Sequence, residues 1–364
     1  MEDNKDFKLT PQNEGENSAA QEESIADRVR IISPTKLVLK RFFRSKLSVV
    51  GLVLFLSLFL FSFLGPVFVD WGETEVDMTG GEPVYTIVEV DLVDPDGNPY
   101  SVYTVEIFYP QTNIHADAMS KSVDPETGEV RVHVLGTDEN GRDIFVRLMY
   151  GGRLSLTLSF FVVLIYTFLG VILGGLAGYF GKWVDMIIMR IVDILNCIPS
   201  LPILLIIGAI LDGLQVDKSV QIYYMMGFLT LLSWTGVARL VRGQLLFLRE
   251  QEYIVAAEAL GMGPMRKIFR HLIPNVMPQL IVSMTLGLGS IILYEASLSF
   301  LGLGVPVEMA SWGQMVQRAT KSVDILTYYF NDWGPAGFMI ILAVLSFNFV
   351  GDGLRDALDP KMKR

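Results

Sequence analysis

Cysteine is almost absent from this chain, since Cys197 is the only one among 364 residues. One cysteine cannot form a disulfide within the chain, so a disulfide-stabilised secreted fold is excluded. Charged residues are also scarce at 19%, whereas hydrophobic residues make up 51%. An ordinary soluble domain carries about 25% charged residues, so this composition favours a protein that lies in a membrane.

Motifs for catalysis and nucleotide binding are missing as well. The three histidines form no H-E-x-x-H pair, and no G-x-S-x-G is present. The segment GGLAGYFGKW has the Gly-Lys pair of a phosphate-binding loop, but Leu176 replaces the first glycine and Trp183 replaces the Ser or Thr. We therefore expect a chain that is not an enzyme, with no catalytic residue, no cofactor, no metal site and no nucleic-acid partner.

Long apolar runs are what the sequence does contain. A helix of about 20 apolar residues crosses the hydrocarbon core of a bilayer. Four runs carry no charge; a fifth contains Arg190 and Asp193, whose spacing predicts an ion pair, and a sixth contains Glu295. The sequence thus predicts an all-α polytopic membrane protein with six transmembrane helices, at residues 47–69, 154–180, 189–211, 219–238, 275–307 and 334–351.

Charges near the ends of these runs predict their orientation, because cytoplasmic loops carry an excess of Lys and Arg. Residues 31–46 contain five basic and no acidic residues, whereas residues 70–134 contain fourteen acidic and two basic ones. Residues 239–270 and 361–364 are again rich in Lys and Arg. We expect a multi-pass protein of the plasma membrane with both termini in the cytoplasm and residues 70–134 outside.

The chain divides into four parts. Residues 1–30 contain eight acids and four bases and lack hydrophobic periodicity, which predicts a disordered cytoplasmic tail. Residues 31–69 form a basic flank and the first transmembrane helix, which is too long for a signal-peptide core. Residues 70–134 form an extracytoplasmic insert, and residues 135–364 form a core of five transmembrane helices that contains the segment 249–275.

The insert carries β-strand patterns. VYTIVEVDLV and YSVYTVEIFY are rich in β-branched and aromatic residues, the turn-like DPDGNP separates them, and EVRVHVL alternates after DPETG. Asp94, Asp96 and Asn98 resemble the start of a calcium loop, but Pro99 stands where that loop needs glycine, so we favour an ordinary turn. We predict a small antiparallel β element.

Three features of the core each have two interpretations. Residues 136–156 predict a polar turn and a short amphipathic helix, which either aligns the next span or docks a partner. Pro199 and Pro202 predict a kink, and the broken helix either lines a translocation path or is structural. Glu295 either contacts that path or fixes helix packing.

The segment 249–275, between two apolar runs, predicts an elbow of two short helices. EYIVAAEAL contains good helix formers and a patch of small residues. The Gly-Met-Gly-Pro break at residues 261–264 permits a chain reversal and suits the start of a second helix, which we expect to end near residue 272. That helix should display three basic side chains to a cytoplasmic partner, namely Arg266, Lys267 and Arg270.

This elbow resembles the EAA loop of ATP-binding-cassette (ABC) importer permeases. In that loop Glu-Ala-Ala is followed at fixed spacing by Gly and by Leu-Pro, and the matching positions here are Ala256, Ala257, Gly261 and Pro274. The loop's glutamate, an apolar position and its leucine are replaced by Val255, His271 and Ile273. The resemblance implies contact with an ATPase through Glu252, Ala256, Ala257, Glu258, Gly261, Arg266, His271 and Pro274.

The resemblance extends over residues 31–69 and 134–364. LGTDENGRDIFVRLMYGGRLSL, DILNCIPSLP, EASLSFLGLGVP, SWGQM and GDGLRDALDP are similar to segments of the C-type subunit of oligopeptide and dipeptide permeases. This implies a type I ABC importer permease core in the lipid bilayer that alternates access for peptides. It also implies a homologous second permease, two cytoplasmic ATP-binding subunits and an extracytoplasmic substrate-binding protein as partners.

Two alternatives remain at this point. An ion-coupled secondary transporter would also be polytopic with broken helices, although it usually shows internal repeats and acids deep in the membrane. An ABC importer for nickel chelates or glutathione would share the same subunit pattern. The elbow discriminates against the first alternative, because a secondary transporter has no ATPase to contact.

Overall fold

The computed structural model of the chain describes residues 34–79, 84–93, 99–108, 112–123 and 129–359. The expected disordered tail at residues 1–30 lies outside them. The helices are α1 (Pro34–Arg44), α2 (Lys46–Leu64), α3 (Ile144–Phe180), α4 (Lys182–Cys197), α5 (Ser200–Gly213), α6 (Lys218–Leu248), α7 (Glu252–Ala259), α8 (Pro264–Leu303), α9 (Trp312–Gln317), α10 (Val323–Tyr328) and α11 (Phe330–Leu358).

Among the described residues, five helices are long and apolar enough to cross a membrane: α2, α3, α6, α8 and α11. The pair α4 and α5 meets at a bend of 78° and gives a sixth span if it is counted as one. Ile198 and Pro199 adopt extended conformations at this bend, because a proline disfavours helical geometry in the residue before it. The all-α polytopic fold and the proline kink are confirmed.

Helices α3 and α6 form the centre of the bundle. Gly170, Gly174 and Gly178 recur every four residues of α3 and therefore share one face. A Cβ atom added at Gly174 would lie 2.3 Å from the carbonyl oxygen of Ala238, and one at Gly178 would lie 3.0 Å from that of Arg242. The two backbones are thus in contact, as small residues at this spacing permit between membrane helices.

A second cluster joins α2, α3 and α11. The fully buried Trp312 of α9 donates from Nε1 to the carbonyl oxygen of Leu148 at 2.9 Å. Ser346 of α11 donates from Oγ to the carbonyl oxygen of Gly51 in α2, also at 2.9 Å. The first bond ties α9 to α3, and the second joins the first span to the last.

The expectation of a separate short helix before the second span is wrong. Ile144–Phe180 is one continuous helix of 37 residues, capped by the Asp143 side chain, which accepts from the N–H of Val146 at 2.8 Å. Arg147 is fully buried instead of interfacial. Its guanidinium donates to the carbonyl oxygens of Val307 and Met309 at 2.9 and 3.1 Å. Because these carbonyls replace water as acceptors, the charged residue can lie inside a continuous helix.

The ion pair expected between Arg190 and Asp193 is also wrong. Asp193 of α4 instead binds Arg239 of α6, with 2.7 Å between Oδ1 and Nη2. One side of α4 packs across the C-terminal half of α6, which brings the acids of α4 opposite the arginines of α6. Asp185 binds Arg242 in the same way, with 2.6 Å between Oδ2 and Nη2.

The insert contains two antiparallel sheets of two strands each, made of β1 (Val84–Val93), β2 (Pro99–Phe108), β3 (Ser120–Val123) and β4 (Val130–His133). β1 pairs with β2, as VYTIVEVDLV and YSVYTVEIFY predict. EVRVHVL supplies β4 as expected, but its partner is β3, which the sequence analysis missed. The turn at residues 94–98, with the question of a calcium loop, lies outside the described residues.

Candidate functional site

The elbow at residues 249–275 reverses the chain at one end of the bundle. Gly261 has a φ of 80°, a left-handed conformation that favours glycine, and its N–H donates to the carbonyl oxygen of Glu258 at 2.9 Å. Pro264 then opens α8, where its fixed φ suits the first helical turn. The reversal is therefore built from the glycine and the proline that the sequence places there.

The underside of the elbow is anchored to the bundle. Lys267 is buried, with Nζ 3.2 Å from Oε2 of Glu258 and 5.5 Å from the ring centroid of Tyr179 at the end of α3. The expectation that Lys267 is displayed is wrong, because its ammonium group joins α7, α8 and α3. Apolar side chains from both halves of the elbow enter the core beside it, at Ile254, Ile268 and Leu272.

The second half of the elbow does not end near residue 272. A π-helical turn at Ile268–Leu272 carries α8 onward, and the N–H of Ile273 donates to the carbonyl oxygen of Ile268. Pro274 does not end the helix, which continues through Ile273–Leu298. The second half of the elbow and the fifth span are therefore one continuous helix, which corrects the expected boundary at residue 272.

The outward surface of the elbow presents most of the residues that the resemblance selects. Ala257 and His271 are half-buried, and the other six are exposed, namely Glu252, Ala256, Glu258, Gly261, Arg266 and Pro274. The sequence analysis missed the large apolar side chains between them, which are 47–88% exposed: Tyr253, Val255, Leu260, Met265 and Phe269. Hydrophobic periodicity could not find them, because α7 is apolar around most of its circumference. Contiguous apolar exposure of this kind marks a protein contact.

The three translocation-path candidates do not share one surface. Pro199 and Pro202 are exposed beside the 78° bend between α4 and α5. Glu295 is fully buried in α8, and its carboxylate accepts from Oγ of Ser155 and Oγ of Ser299, both at 2.9 Å. An ionisable group inside a membrane bundle requires such partners.

At the opposite end of α3, a buried histidine joins the insert to the bundle. His133 lies between two carboxylates, with Nδ1 2.7 Å from Asp143 and Nε2 3.0 Å from Asp77. Burial opposes a charge on His133, but the hydrogen bonds that its ring nitrogens donate to Asp143 and Asp77 outweigh this effect and raise its pKa to about 9. Trp71 stacks on the imidazole with 4.4 Å between centroids. A charged histidine therefore links the insert to the cap of α3.

A second buried cluster fastens the loops around α9 and α10. Arg318 is fully buried and lies 2.6 Å from Oδ2 of Asp138 and 3.1 Å from Oδ1 of Asp332. Burial raises the pKa of Asp138, but the charges of Arg318 and Arg147 outweigh this effect and hold it below its usual value. Neither buried cluster was foreseen, because its members lie far apart along the chain.

Comparison with known proteins resolves which class of transporter this architecture represents. Residues 170–364 match the family described as "Binding-protein-dependent transport system inner membrane component". The chain belongs to this family. Residues 33–79 also match the N-terminal transmembrane domain of oligopeptide transport permease C. The chain is therefore a multi-pass membrane protein built on the permease core that the sequence analysis expected.

Curated relatives of this chain are permease proteins of transport systems. The dipeptide transport system permease protein DppC of Alkalihalophilus pseudofirmus is 41% identical over 72% of this chain and 83% of that protein. The oligopeptide transport system permease protein OppC of Bacillus subtilis is 38% identical over the same shares of both chains. The glutathione transport system permease protein GsiD of Pectobacterium atrosepticum is 39% identical over 65% of this chain and 75% of that protein.

Proposed function

We propose that this chain is the C-type permease subunit of an ATP-driven, binding-protein-dependent importer of oligopeptides or dipeptides. The family and the names of the two peptide-transport relatives support this function. The observation that carries it is the elbow, which exposes apolar and charged side chains together while Lys267 and a buried apolar underside hold it to the bundle. The chain itself is non-catalytic, and its partners hydrolyse ATP.

The elbow is the contact with an ATP-binding subunit. Its exposed apolar side chains enter a groove of that subunit, and Glu252 and Arg266 contribute charge at the rim. The second half of the elbow is the first part of α8. Movement of the ATPase is therefore passed to a membrane span within one helix. The exposed bend at Pro199 and Pro202 faces the path of the peptide, whereas the buried hydrogen bonds of Glu295 support a role in helix packing.

The elbow lies in the cytoplasm and the insert lies outside. The 37 residues of α3 separate them. Asp143, the cap before α3, contacts His133 of the insert, and Tyr179 in its last turn contacts Lys267 of the elbow. A helix of this length spans about 55 Å, more than the hydrocarbon thickness of a bilayer. The basic residues of the elbow and the acidic residues of the insert agree with this orientation.

The assembled importer contains a homologous second permease, two cytoplasmic ATP-binding subunits and an extracytoplasmic substrate-binding protein. The peptide crosses between the two permeases by alternating access. Glutathione is the second candidate substrate, because one relative of similar identity is a glutathione permease. Glutathione is itself a tripeptide, so both candidates belong to one chemical class.

The experiment that tests this function reconstitutes the chain with its partners in liposomes and measures ATP hydrolysis and uptake of di-, tri- and pentapeptides and glutathione. Gly261→Pro cannot adopt the φ of 80° and should abolish coupled uptake. Gly175→Ala is the control, because Gly175 lies in α3 outside the elbow and has no atom within 4 Å of an added Cβ, and it should transport like the native chain. Uptake that continues without ATP, or that Gly261→Pro leaves unchanged, would refute the proposal.

A further inference from the structure

The insert carries a long two-stranded ribbon that no other strand covers. β1 and β2 pair in register over ten residues each, from Val84 opposite Phe108 to Val93 opposite Pro99. Ten residues of strand span about 33 Å. Within the described part of the chain, β1 and β2 pair only with each other, so the outer edge of each strand has a row of backbone groups without a partner strand.

The base of this ribbon is held firmly. Asn113 follows the ribbon and Asp77 precedes it, and the two join through a backbone hydrogen bond of 2.9 Å and a side-chain hydrogen bond of 2.8 Å. The N–H of Asp77 also donates to the carbonyl oxygen of Gly141 at 2.8 Å. His133 links Asp77 to Asp143, the cap of α3. The ribbon therefore projects from a base that is fixed to a transmembrane helix.

The charge of the ribbon is entirely of one sign. Residues 80–114 contain six acidic residues and no Lys, Arg or His. A second copy of the ribbon would place like charges opposite each other, which is unfavourable. Anionic lipid headgroups would repel it for the same reason. A protein surface with basic residues and an accessible strand edge is the complementary partner.

We propose that the β1–β2 ribbon is the docking arm for a basic surface of the importer's extracytoplasmic substrate-binding protein. This rests on the proposed function, which supplies a soluble partner on the outer side. An isolated two-stranded hairpin is only marginally stable in water, and long free edges invite pairing with another chain. A docked partner would stabilise the hairpin and cover its free edges, and Asp77 and His133 join the base of the ribbon to the cap of α3.

Two variants test this inference. In the first, a short Gly-Ser linker replaces residues 84–108; the hydrogen bonds between Asp77 and Asn113 keep the remaining ends adjacent. In the second, Glu89→Gln, Asp91→Asn, Asp94→Asn, Asp96→Asn and Glu106→Gln together remove every acid of residues 84–108 and retain the ribbon. Asp324→Asn is the control, because Asp324 is an exposed acid in α10, outside the ribbon.

The measurement is the affinity of the purified binding protein for the reconstituted importer at low and high salt. We expect the deletion to weaken binding by at least about tenfold. The charge-neutralised variant should lose most of the salt dependence, and Asp324→Asn should bind like the native chain. Native affinity in the charge-neutralised variant, with its salt dependence intact, would overturn the proposal even if the deletion disturbs folding.

The same preparations separate this inference from the proposed function. ATP-driven peptide uptake by the native importer is measured first. If it is absent, the peptide-importer function fails, whatever the ribbon binds. If uptake is present and both ribbon variants bind the binding protein like the native chain, only the docking arm is wrong.

Discussion

The contact between α3 and α6 predicts a strong dependence on a single glycine. Gly174→Ala adds one methyl group at a position where Cβ would lie 2.3 Å from the carbonyl oxygen of Ala238 and 2.8 Å from its Cα atom. Ordinary contact begins near 3.4 Å, so the two helices would have to separate by about 1 Å. Backbone atoms of two packed helices cannot rotate away as a side chain can.

The expected cost follows from overpacking. Forcing an extra methyl group into a well-packed core costs about 1–3 kcal/mol. Separation of α3 and α6 would also loosen the fit at Gly170 and Gly178, which occupy the same face of α3. The energy therefore belongs in the upper half of that range.

The neighbouring glycine supplies the control. Gly175 has no atom within 4 Å of an added Cβ, so Gly175→Ala makes the same chemical change without a clash. Thermal unfolding of both variants in lipid nanodiscs should give a clearly lower midpoint for Gly174→Ala and a native or slightly higher one for Gly175→Ala. Equal midpoints for the two variants would show that α3 and α6 do not pack as described.

Three further predictions concern buried polar groups. The pKa of His133, raised to about 9 from 6.5, means that its charge contributes stability that is complete below about pH 6.5 and lost as the pH rises through about 9. His133→Gln should remove this alkaline loss, and unchanged pH dependence of the unfolding midpoint would contradict it. Glu295→Leu leaves the hydroxyls of Ser155 and Ser299 without their acceptor and should cost about 1–3 kcal/mol. Glu295→Gln should cost less. Equal unfolding midpoints for the two variants would refute this prediction. Arg318→Leu removes the cation that two buried aspartates share, leaving only the longer contacts with Arg147 and His115, and should cost about 3–5 kcal/mol, measured as a loss of folded protein after solubilisation; a native yield would contradict it.

The spans could be predicted from sequence because the bilayer imposes a simple length and polarity rule. The uncharged runs at 154–180 and 219–238 lie inside α3 and α6, and Pro199 marks the bend. The ends were less predictable. Residues 144–153 extend α3 by ten residues, because buried loop carbonyls satisfy Arg147 and allow a charged turn to remain helical.

The polar clusters could not be predicted from sequence, because they depend on tertiary structure. Asp77, His133 and Asp143 meet only after the insert folds onto the cap of α3. The spacing of Arg190 and Asp193 suggested a local pair, but a tertiary partner, Arg239, takes the aspartate. The elbow was recognisable because its glycine and proline act locally, whereas its exposed apolar surface became visible only once the buried side was known.

The continuity of α8 has a mechanical consequence. From Pro264 to Leu298 the chain is helical without interruption, a length of about 50 Å, and Gly302 then leaves helical geometry with a φ of 85°. If this helix pivots at the elbow, a tilt of about 5° displaces its far end by about 4 Å, close to the spacing between neighbouring β-strands. A small angular movement at the elbow is thus amplified with distance, and the length of this one helix sets how large the displacement at its other end becomes.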